Sequence, residues 1–456
     1  GLDCAPLSTP CFPTVECSGH SPIGPDSESP ALSNSWAMGR MPRRRNPVPL
    51  CRTRRLLPVG SLNDWLSLES GSPSHVRGRR ILLRADLNVP LKNGRIRDDS
   101  RIRASLGTLN RLLENGARVI LASHLGRPKG TVNPDLSLAP VAEALSNLIP
   151  YPVHFVDDCV GQTVQEAAFQ LADGEVLVLE NLRFHKGETE NDPAFADQLG
   201  QLAEAYVNDA FGTAHRSHAS TAGIVKYLPD AVAGDLLQDE LQHLGVVLEP
   251  KRPLLCLLGG AKVSDKLGVL RALSKHADVL ALGGAMAYTF LSAKGHSVGQ
   301  SRVEKELIEE ALRILDTANQ NQCRVLLPID HVVARGLDGE GESRIEKEIS
   351  DGWMGLDIGP ATASAYAEEV GKAKTIMWNG PMGVFEVESF AGGTRKVAQA
   401  VASASAVSVV GGGDSLAAIN ELGLGEDIDH LSTGGGASLE FIQGLTLPGV
   451  AALESK

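Results

Sequence analysis

From residue 80 onward, short apolar runs alternate with segments in which apolar residues recur at helical spacing. Residues 101–115 show the helical spacing most clearly, and Gly116 marks its end. The apolar runs predict strands at residues 80–86, 117–122, 175–179 and 205–208. Because strands that alternate with helices are typical of a parallel sheet covered on both faces, we expect one such sheet in the first half of the chain.

The alternation starts again after a long helical segment at residues 235–247. Further apolar runs predict strands at residues 253–258, 279–282, 324–327, 375–378 and 406–410. The pattern therefore predicts an α/β fold. It would consist of two doubly wound, Rossmann-like parallel-sheet domains joined by a hinge helix.

The domain boundaries follow from these patterns and from a change in composition. Residues 1–60 are rich in Pro, Ser and Arg and show no sustained helical or strand periodicity of apolar residues. We therefore interpret them as a disordered or targeting-like extension. A transit peptide and translated upstream sequence both remain open for this segment. We predict an N-terminal domain at 75–234, an interdomain helix at 235–249, a C-terminal domain at 250–434 and a tail at 435–456.

Composition narrows the class of protein. A chain of 456 residues that is 43% hydrophobic can build two cores. Its net charge of −12 argues against a nucleic-acid partner, and no apolar run is long enough to predict a membrane span. The seven cysteines show no metal-binding spacing. We expect Cys159, Cys256 and Cys323 to be small buried side chains in a reducing compartment.

The predicted strands of the first half end in polar, mostly cationic residues. Ligands bind beyond the carboxyl ends of strands in open α/β sheets, so these side chains could converge at one edge. Such a cluster needs an anionic partner because like charges repel, and the guanidinium fork suits phosphate or carboxylate. The residues that we place at this cationic edge are Asp86, Asn88, Arg101, His124, Arg127, Arg183 and Arg216.

The strands of the second half end in glycines instead, and we call this the glycine edge (residues 259–260, 283–284, 380 and 411–413). Glycines let backbone N–H groups approach a ligand, and a helix N-terminus after residue 411 favours a phosphate. Asp414 could then meet the Mg²⁺ that accompanies the phosphates. Lys262 and Lys266, four residues apart, would share one helical face as point charges, and Glu386 could accept from ribose hydroxyls.

Neither common nucleotide loop is present. The dinucleotide fingerprint would need a third glycine where Leu416 stands, and the segment 259–266 lacks the glycine–lysine spacing of a Walker A loop. The two edges together indicate a bilobal kinase with a hinge, since phosphoryl transfer depends on positioning and charge neutralisation. A carboxylate acceptor is already ionised at neutral pH, which fits the lack of an obvious catalytic base other than Asp86.

At these residues the chain resembles the phosphoglycerate kinase family. The resemblance runs from about residue 79 to the C-terminus, and its motifs keep the family's order. They lie at residues 84–90, 99–102, 123–130, 180–184, 208–216, 259–266, 352–360, 378–386, 411–415 and 432–438. One such motif would be suggestive, whereas the whole set is highly specific.

The resemblance implies reversible phosphoryl transfer between ATP with 3-phosphoglycerate and ADP with 1,3-bisphosphoglycerate, with Mg²⁺ and hinge-bending closure. It implies substrate binding by Asp86, Leu87, Asn88, Arg101, His124, Leu125, Gly126, Arg127, Arg183 and Arg216. It implies nucleotide binding by Lys266, Gly283, Asn379, Pro381, Glu386, Gly412, Gly413, Asp414 and Ser415, with Asp414 serving the metal. Catalytic roles fall to Arg101, Lys262 and Gly413. A monomer whose tail packs on the N-terminal domain is also implied.

Two other functions remain open from the sequence. A catalytically silent nucleotide-binding or interaction protein could keep this fold, although Arg101, Lys262 and Asp414 are all present. A nicotinamide-dependent dehydrogenase is disfavoured by the missing third glycine and by the cationic edge. We predict a cytoplasmic location, with the plastid stroma as the alternative if residues 1–60 are a transit peptide. The sequence does not distinguish a role in glycolysis from a role in carbon fixation.

Overall fold

The computed structural model describes residues 59–66 and 76–456, all within the unit that spans residues 43–456. The first half forms the strands β1 (Arg80–Arg84), β2 (Leu91–Lys92), β3 (Arg95–Ile96), β4 (Arg118–Ala122), β5 (Val153–Phe155), β6 (Val176–Val178), β7 (Ala205–Asn208) and β8 (Asp230–Ala233). Its helices are α1 (Leu62–Leu66), α2 (Ser100–Glu114), α3 (Ala139–Leu148), α4 (Gln162–Gln170), α5 (Lys186–Glu190) and α6 (Pro193–Gly200). Six of the strands form a parallel sheet in the order β5–β6–β4–β1–β7–β8, and β2 and β3 form a hairpin.

The second half follows the helix α7 (Asp235–Leu248). Its strands are β9 (Leu254–Leu258), β10 (Val279–Leu282), β11 (Arg324–Leu326), β12 (His331–Ala334), β13 (Ser343–Glu346), β14 (Met354–Ile358), β15 (Thr375–Asn379), β16 (Val407–Gly411) and β17 (His430–Ser432). Its helices are α8 (Leu267–Leu273), α9 (Met286–Ala293), α10 (Ile308–Gln320), α11 (Pro360–Lys372), α12 (Gly392–Ser403), α13 (Gly413–Glu421), α14 (Gly436–Ile442) and α15 (Pro448–Glu454). A second parallel sheet has the order β11–β10–β9–β15–β16–β17.

The predicted α/β class with two doubly wound sheets is confirmed. Every strand that the apolar runs predict is present, with bounds that differ by at most two residues at either end. The sequence analysis did not predict the antiparallel sheet β13–β12–β14. Its middle strand is followed by a glycine- and acid-rich segment, and β13 is exposed at three of its four positions. Such a strand has no buried face to produce an apolar pattern.

The core explains why both sheets keep parallel strands. β1, β4, β9 and β15 are almost wholly buried, as central parallel strands are when helices cover both faces. One cluster of buried side chains runs from the first sheet through Leu237, Leu241 and Leu244 of α7 into the second sheet. Helix α7 is therefore part of a continuous core and not a free linker.

Polar contacts fix the start and the middle of helix α7. The buried carboxylate of Asp209, directly after β7, accepts hydrogen bonds from Leu236 N at 2.8 Å and Leu237 N at 3.2 Å and so caps the start of α7. Burial raises the pKa of Asp209 to about 6. Further along α7, buried Glu240 accepts from Thr433 N at 2.8 Å and lies 3.0 Å from His430 Nε2. The helix is thus tied to a strand end of each sheet.

The last segment of the chain contacts the first half. Helix α14 packs against α7 and against residues 211–213, and α15 packs against β8. Gly449 N donates to Ala214 O at 2.8 Å. The assignment of residues 435–456 as a tail and the other domain boundaries remain predictions.

Three further sequence predictions concern the N-terminal extension, the cysteines and membrane spans. The extension at residues 1–60 lies outside the described residues except for its last two positions. Cys159, Cys256 and Cys323 are buried free thiols, as predicted. Among the described helices none has the length and apolarity that a bilayer crossing requires.

Candidate active site

Strand register brings the cationic edge together. Arg84 at the end of β1 pairs with Ala122 of β4 and with Asn208 of β7, so the loops after these strands begin side by side. Eight of the ten predicted substrate residues line one cavity of ≈ 410 Å³: Asp86, Asn88, Arg101, His124, Gly126, Arg127, Arg183 and Arg216. The remaining two, Leu87 and Leu125, have buried side chains that do not line it. Their backbone N–H groups donate to Ser123 Oγ and Asn181 Oδ1.

The cavity is not built by the first sheet alone. Residues 433–436, which follow β17 of the second sheet, form part of its wall, together with Gly212, Thr213 and His215. The cationic edge therefore opens into a cleft that both halves of the chain line.

Acidic and amide side chains position the cationic residues. Arg101 Nη1 lies 2.5 Å from Asp86 Oδ2, and both side chains are partly exposed. Asn88 Oδ1 accepts from Gly126 N at 2.9 Å, and Gly126 O accepts from Arg183 Nη1 at 2.8 Å. Arg127 remains exposed to solvent. At the cationic edge, hydrogen bonds and an ion pair therefore position the guanidinium groups of Arg101 and Arg183, whereas that of Arg127 is open to a ligand.

Arg183 shows that the cationic edge lacks sufficient negative charge of its own. Its side chain is buried, and Nε has no hydrogen-bond partner among the described residues. Burial, and then repulsion by Arg216 and Arg84, lowers the pKa of Arg183 to about 10, so the group stays protonated at neutral pH. An anion in the cavity would relieve both the repulsion and the unmet donor.

His124 is a neutral member of this cationic set. Burial, and then the charges of Arg84, Arg183 and Arg101, holds the pKa of His124 well below its usual value. Arg84 Nη2 lies 3.2 Å from His124 Nδ1, so this ring nitrogen accepts and Nε2 carries the proton. His124 therefore offers a hydrogen-bond donor without adding another charge.

Sequence reasoning missed the residues that support His124. Arg84 is fully buried and donates to Ser220 Oγ at 2.9 Å, and Ser220 Oγ donates to the buried Glu188 Oε1 at 2.7 Å. Burial acts to raise the pKa of Glu188, but the nearby His218 ring, the charge of Arg84 and the hydrogen bond from Ser220 hold it below its usual value. The one sequence signal for this group was Arg84, a charged residue at the end of the apolar run that forms β1.

Backbone contacts join the loops of the glycine edge. Gly259 N donates to Asn379 O at 3.1 Å, Gly260 N to Pro381 O at 3.0 Å, and Gly284 N to Met382 O at 2.9 Å. A Cβ on Gly259 would lie 1.9 Å from Pro381 O, which no side chain can occupy. The loops that carry Gly283, Asn379 and Pro381 are thus packed backbone against backbone, whereas Glu386 is exposed further along the chain.

The two lysines of this edge do not share a helical face, contrary to the expectation from their spacing. Lys262 is exposed and precedes the 3₁₀ turn at Ser264–Lys266, and α8 begins only at Leu267. The carboxylate of Glu304, which the sequence analysis missed, accepts from Val263 N at 2.5 Å and from Ser264 N at 3.2 Å. These bonds satisfy the amides at the start of the 3₁₀ turn, so Lys262 lies before the turn and Lys266 lies at its end.

Lys266 lies against Asn379 instead. Its ammonium donates to Asn379 O at 2.7 Å and also to Asn379 Oδ1. Burial lowers the pKa of Lys266 to about 8, although the charge of Asp414 acts in the opposite direction. The carboxylate of Asp414 is therefore close enough to act electrostatically on Lys266.

The N-terminus of α13 completes the glycine edge. Gly412 has φ +92° and caps the helix that starts at Gly413, so the amides of the first turn have no intrahelical acceptor. Gly413 and Asp414 are exposed. Ser415 is fully buried, and its Oγ accepts from Gly380 N at 2.6 Å. Its hydroxyl therefore fixes the neighbouring glycine loop, while its backbone N–H belongs to the helix N-terminus.

A larger cavity lies elsewhere and contains none of the predicted site residues. It measures ≈ 860 Å³ and lies between the end of α7, helix α8 and the tail. It has neither the convergent arginines nor the glycine loops, so we take the smaller cavity as the candidate active site.

The chain has two α/β sheets. One sheet has a cationic edge, and the other has a helix N-terminus of the kind that binds phosphate. This combination is typical of two-lobed kinases. The family model described as phosphoglycerate kinase matches residues 72–445. The chain therefore belongs to the phosphoglycerate kinase family, and it is a phosphotransferase. This membership removes the dehydrogenase alternative, and nothing in the fold or the comparisons supports the catalytically silent one.

Relatives and solved structures agree with the family match. The phosphoglycerate kinase of Moorella thermoacetica is 53% identical over 384 residues, covering 84% of this chain and 98% of the relative. That of Clostridium kluyveri is 50% identical over 386 residues, covering 84% and 97%. The phosphoglycerate kinase structure from Coxiella burnetii matches with a TM-score of 0.78 at 39% identity, covering 87% of this chain and 99% of that one. The Pyrococcus horikoshii structure gives 0.72 at 36%, covering 83% and 96%.

Proposed function

We propose that this chain transfers a phosphoryl group reversibly between ATP with 3-phosphoglycerate and ADP with 1,3-bisphosphoglycerate. The observation that carries the proposal is the single cavity that eight predicted substrate residues share with a segment of the second half, residues 433–436. A small molecule with a phosphate and a carboxylate would neutralise this set of arginines. Family membership supports the same reaction.

The cationic edge would hold the phosphoglycerate. Arg183 and Arg216 supply charge at the base of the cavity, and Arg127 supplies an exposed guanidinium at its rim. His124 would donate from Nε2 to a substrate oxygen. Because the substrate carboxylate is ionised at neutral pH, one of its oxygens can attack the γ-phosphorus directly, and the bond from that phosphorus to the bridging oxygen of ADP breaks.

The glycine edge would hold the nucleotide. Free amides at the start of α13, including that of Gly413, suit the phosphates, and Lys266 adds a point charge. The exposed carboxylate of Asp414 is an oxygen ligand of the kind Mg²⁺ accepts, and it stands at this same helix N-terminus, so the donor set fits a Mg–nucleotide complex. Mg²⁺ would supply charge neutralisation of the phosphates.

Arg101 and Lys262 would neutralise the transferring group. Arg101 lies in the first turn of α2, lines the cavity and pairs with Asp86, whereas exposed Lys262 lies outside any helix and can follow the closure of the cleft. We place the hinge at α7, because its start is capped by Asp209 of the first half and its middle is bound to Thr433 of the second.

A coupled assay tests the proposal. ADP formation from ATP, Mg²⁺ and 3-phosphoglycerate is measured while a downstream dehydrogenase removes the acyl phosphate. We expect turnover that disappears when either Mg²⁺ or 3-phosphoglycerate is omitted. A folded protein that binds nucleotide but shows no turnover would contradict the proposal.

We further propose that the protein acts as a monomer in the cytoplasm, without nucleic-acid or membrane partners. The three buried free thiols suit a reducing compartment, and the net charge of −12 disfavours nucleic acid. Light scattering at micromolar concentration checks the first point, and a dimer mass would contradict it.

A further inference from the structure

We infer that Asp158, Cys159 and His185 form a binding site for a thiophilic divalent cation of the Zn²⁺ type, placed directly behind the loop that carries Arg183. The three side chains come from different parts of the first sheet's carboxyl end. Asp158 and Cys159 follow β5, and His185 follows the short turn Leu182–Phe184 that comes after β6. In the described part of the chain, no other group of His, Cys, Asp or Glu side chains brings three ligand atoms so close together.

The distances suit a tetrahedral cation. One ligand atom from each residue lies within 4.8 Å of the other two, and His185 Nε2 is 2.7 Å from Asp158 Oδ1. Metal–ligand distances of about 2.0–2.3 Å require ligand atoms roughly 3.3–3.8 Å apart. Inserting a cation would therefore move the pair Asp158–His185 apart by about 1 Å. Thiolate, imidazole and carboxylate are a set that favours zinc-like cations over Mg²⁺.

The surroundings hold the ligands in place. The His185 ring stacks on Phe195, with centroids 5.0 Å apart, and the Cys159 thiol donates to Glu180 O at 3.0 Å. Asp158 and His185 are partly exposed, whereas Cys159 is fully buried, so a cation would enter past the carboxylate and the imidazole. A fourth ligand position would be left for water.

The carboxylates around the Cys159 thiol attract a divalent cation. Asp158, Glu188 and Glu180 all act electrostatically on this thiol. On binding, the thiol proton passes to water, the sulfur–cation bond forms, and His185 presents Nε2 in its other tautomer. A divalent cation with one thiolate and one carboxylate leaves no net charge at the site.

The site is linked to the cationic edge through a short stretch of backbone. The Cys159 thiol contacts the carbonyl of Glu180, and only Phe184 separates Arg183 from His185. A bound cation would therefore shift or stiffen the segment that presents Arg183, and we expect it to change the affinity for phosphoglycerate. This coupling rests on the proposed function, whereas the cation site itself does not.

Cadmium titration tests the site. The full chain is used with Cys4, Cys11, Cys17 and Cys51 replaced by Ser, which leaves Cys159, Cys256 and Cys323 as the three thiols. We expect one Cd²⁺ per chain, with a thiolate-to-cadmium charge-transfer band, and displacement by Zn²⁺. Cys159→Ser should abolish the band, since serine keeps the hydrogen bond to Glu180 without the thiolate.

A second variant and a control keep the test independent of folding. His185→Gln lies at the partly exposed end of the site and should weaken Cd²⁺ binding by at least about tenfold. Cys323→Ser, which removes another buried thiol, should leave binding unchanged. A band that survives Cys159→Ser, a chain that binds no Cd²⁺, or equal loss in Cys323→Ser would overturn the site.

The coupling has a separate readout. With Cd²⁺ bound, the KM for 3-phosphoglycerate should change at least twofold in the parent and not in Cys159→Ser. An unchanged KM alongside stoichiometric Cd²⁺ binding would contradict the coupling and leave the site intact. Failure of the enzyme assay in the presence of Mg²⁺ and without Cd²⁺ would count against the proposed function alone.

Discussion

The cationic edge of the first sheet presents side chains, whereas the glycine edge of the second presents backbone. Both edges lie at the carboxyl ends of six parallel strands, so the architecture is the same. At the first edge, Arg183 remains short of a partner and repelled by its neighbours. At the second, the loops approach so closely that Gly259 has no room for a side chain. We therefore propose that one fold offers two anion sites, one that depends mainly on charged side chains and one that depends mainly on backbone donors and close packing.

The largest expected effect comes from removing a cationic-edge side chain that faces the transferring group. Arg101→Ala should lower kcat by roughly 10³-fold or more, as the loss of a transition-state arginine does in other phosphoryl-transfer enzymes. Steady-state kinetics measures it. Arg103→Ala is the matched control, because Arg103 lies on the same helix, pairs with Asp99 and does not line the cavity. Near-native turnover in Arg101→Ala would remove that residue from catalysis.

The glycine edge should be sensitive to a single methyl group. Gly380 has φ +98°, and a Cβ there would lie 2.2 Å from Gly259 O. Gly380→Ala should weaken nucleotide binding by at least about tenfold, or ~1.4 kcal/mol, without weakening phosphoglycerate binding. Calorimetric titration of each ligand measures both. Gly371→Ala, on an exposed helical position with open space, is the control. Equal loss for both ligands would show that the two edges are not separable.

The pH dependence of nucleotide binding should follow Lys266. Its pKa of about 8 lies below the usual lysine value, so the cationic form that favours phosphate is lost as the pH rises from 7 to 9. If binding needs the charge, affinity should fall by about tenfold over this interval. Lys266→Arg should remove this dependence, because arginine stays protonated. A wild-type profile that is flat between pH 7 and 9 would contradict the assignment.

The smallest expected effect is a difference between the two edges in how strongly salt weakens ligand binding. Raising ionic strength from about 0.05 to 0.3 M shortens the Debye length from roughly 14 to 6 Å. Phosphoglycerate affinity should fall several-fold, and less steeply in Arg216→Ala. Nucleotide affinity should change less, since most donors at the glycine edge are uncharged amides, with Lys266 as the added charge. A phosphoglycerate Kd that does not respond to salt would argue against a charge-based site.

The sequence predicted the central strands well because buried parallel strands are continuous apolar runs. The strands β7 and β10 have the bounds that the pattern gave. Short edge strands with little apolar character were not predicted, as β5 shows: it has three residues, of which two are exposed. The convergence of the cationic residues was also predictable, since strand ends in one sheet meet at one edge.

Long-range side-chain contacts were not predictable in this way. Arg84 and Ser220 are 136 positions apart, and no local pattern links them. The position of Lys262 depends on Glu304, which is 41 residues from Val263. Spacing along the chain predicts a shared helical face only where one helix spans both residues, and here Lys262 lies before the 3₁₀ turn that ends at Lys266.

Hydrogen exchange with one ligand at a time tests most directly the claim that the two edges bind different ligands. Amide protection is compared between the free protein, the protein with 3-phosphoglycerate and the protein with Mg–ADP. The account predicts that phosphoglycerate protects residues 86–88, 124–127 and 212–216, and that Mg–ADP protects residues 259–266, 379–382 and 411–415. Protection of the glycine edge by phosphoglycerate alone, or of the cationic edge by Mg–ADP alone, would contradict it.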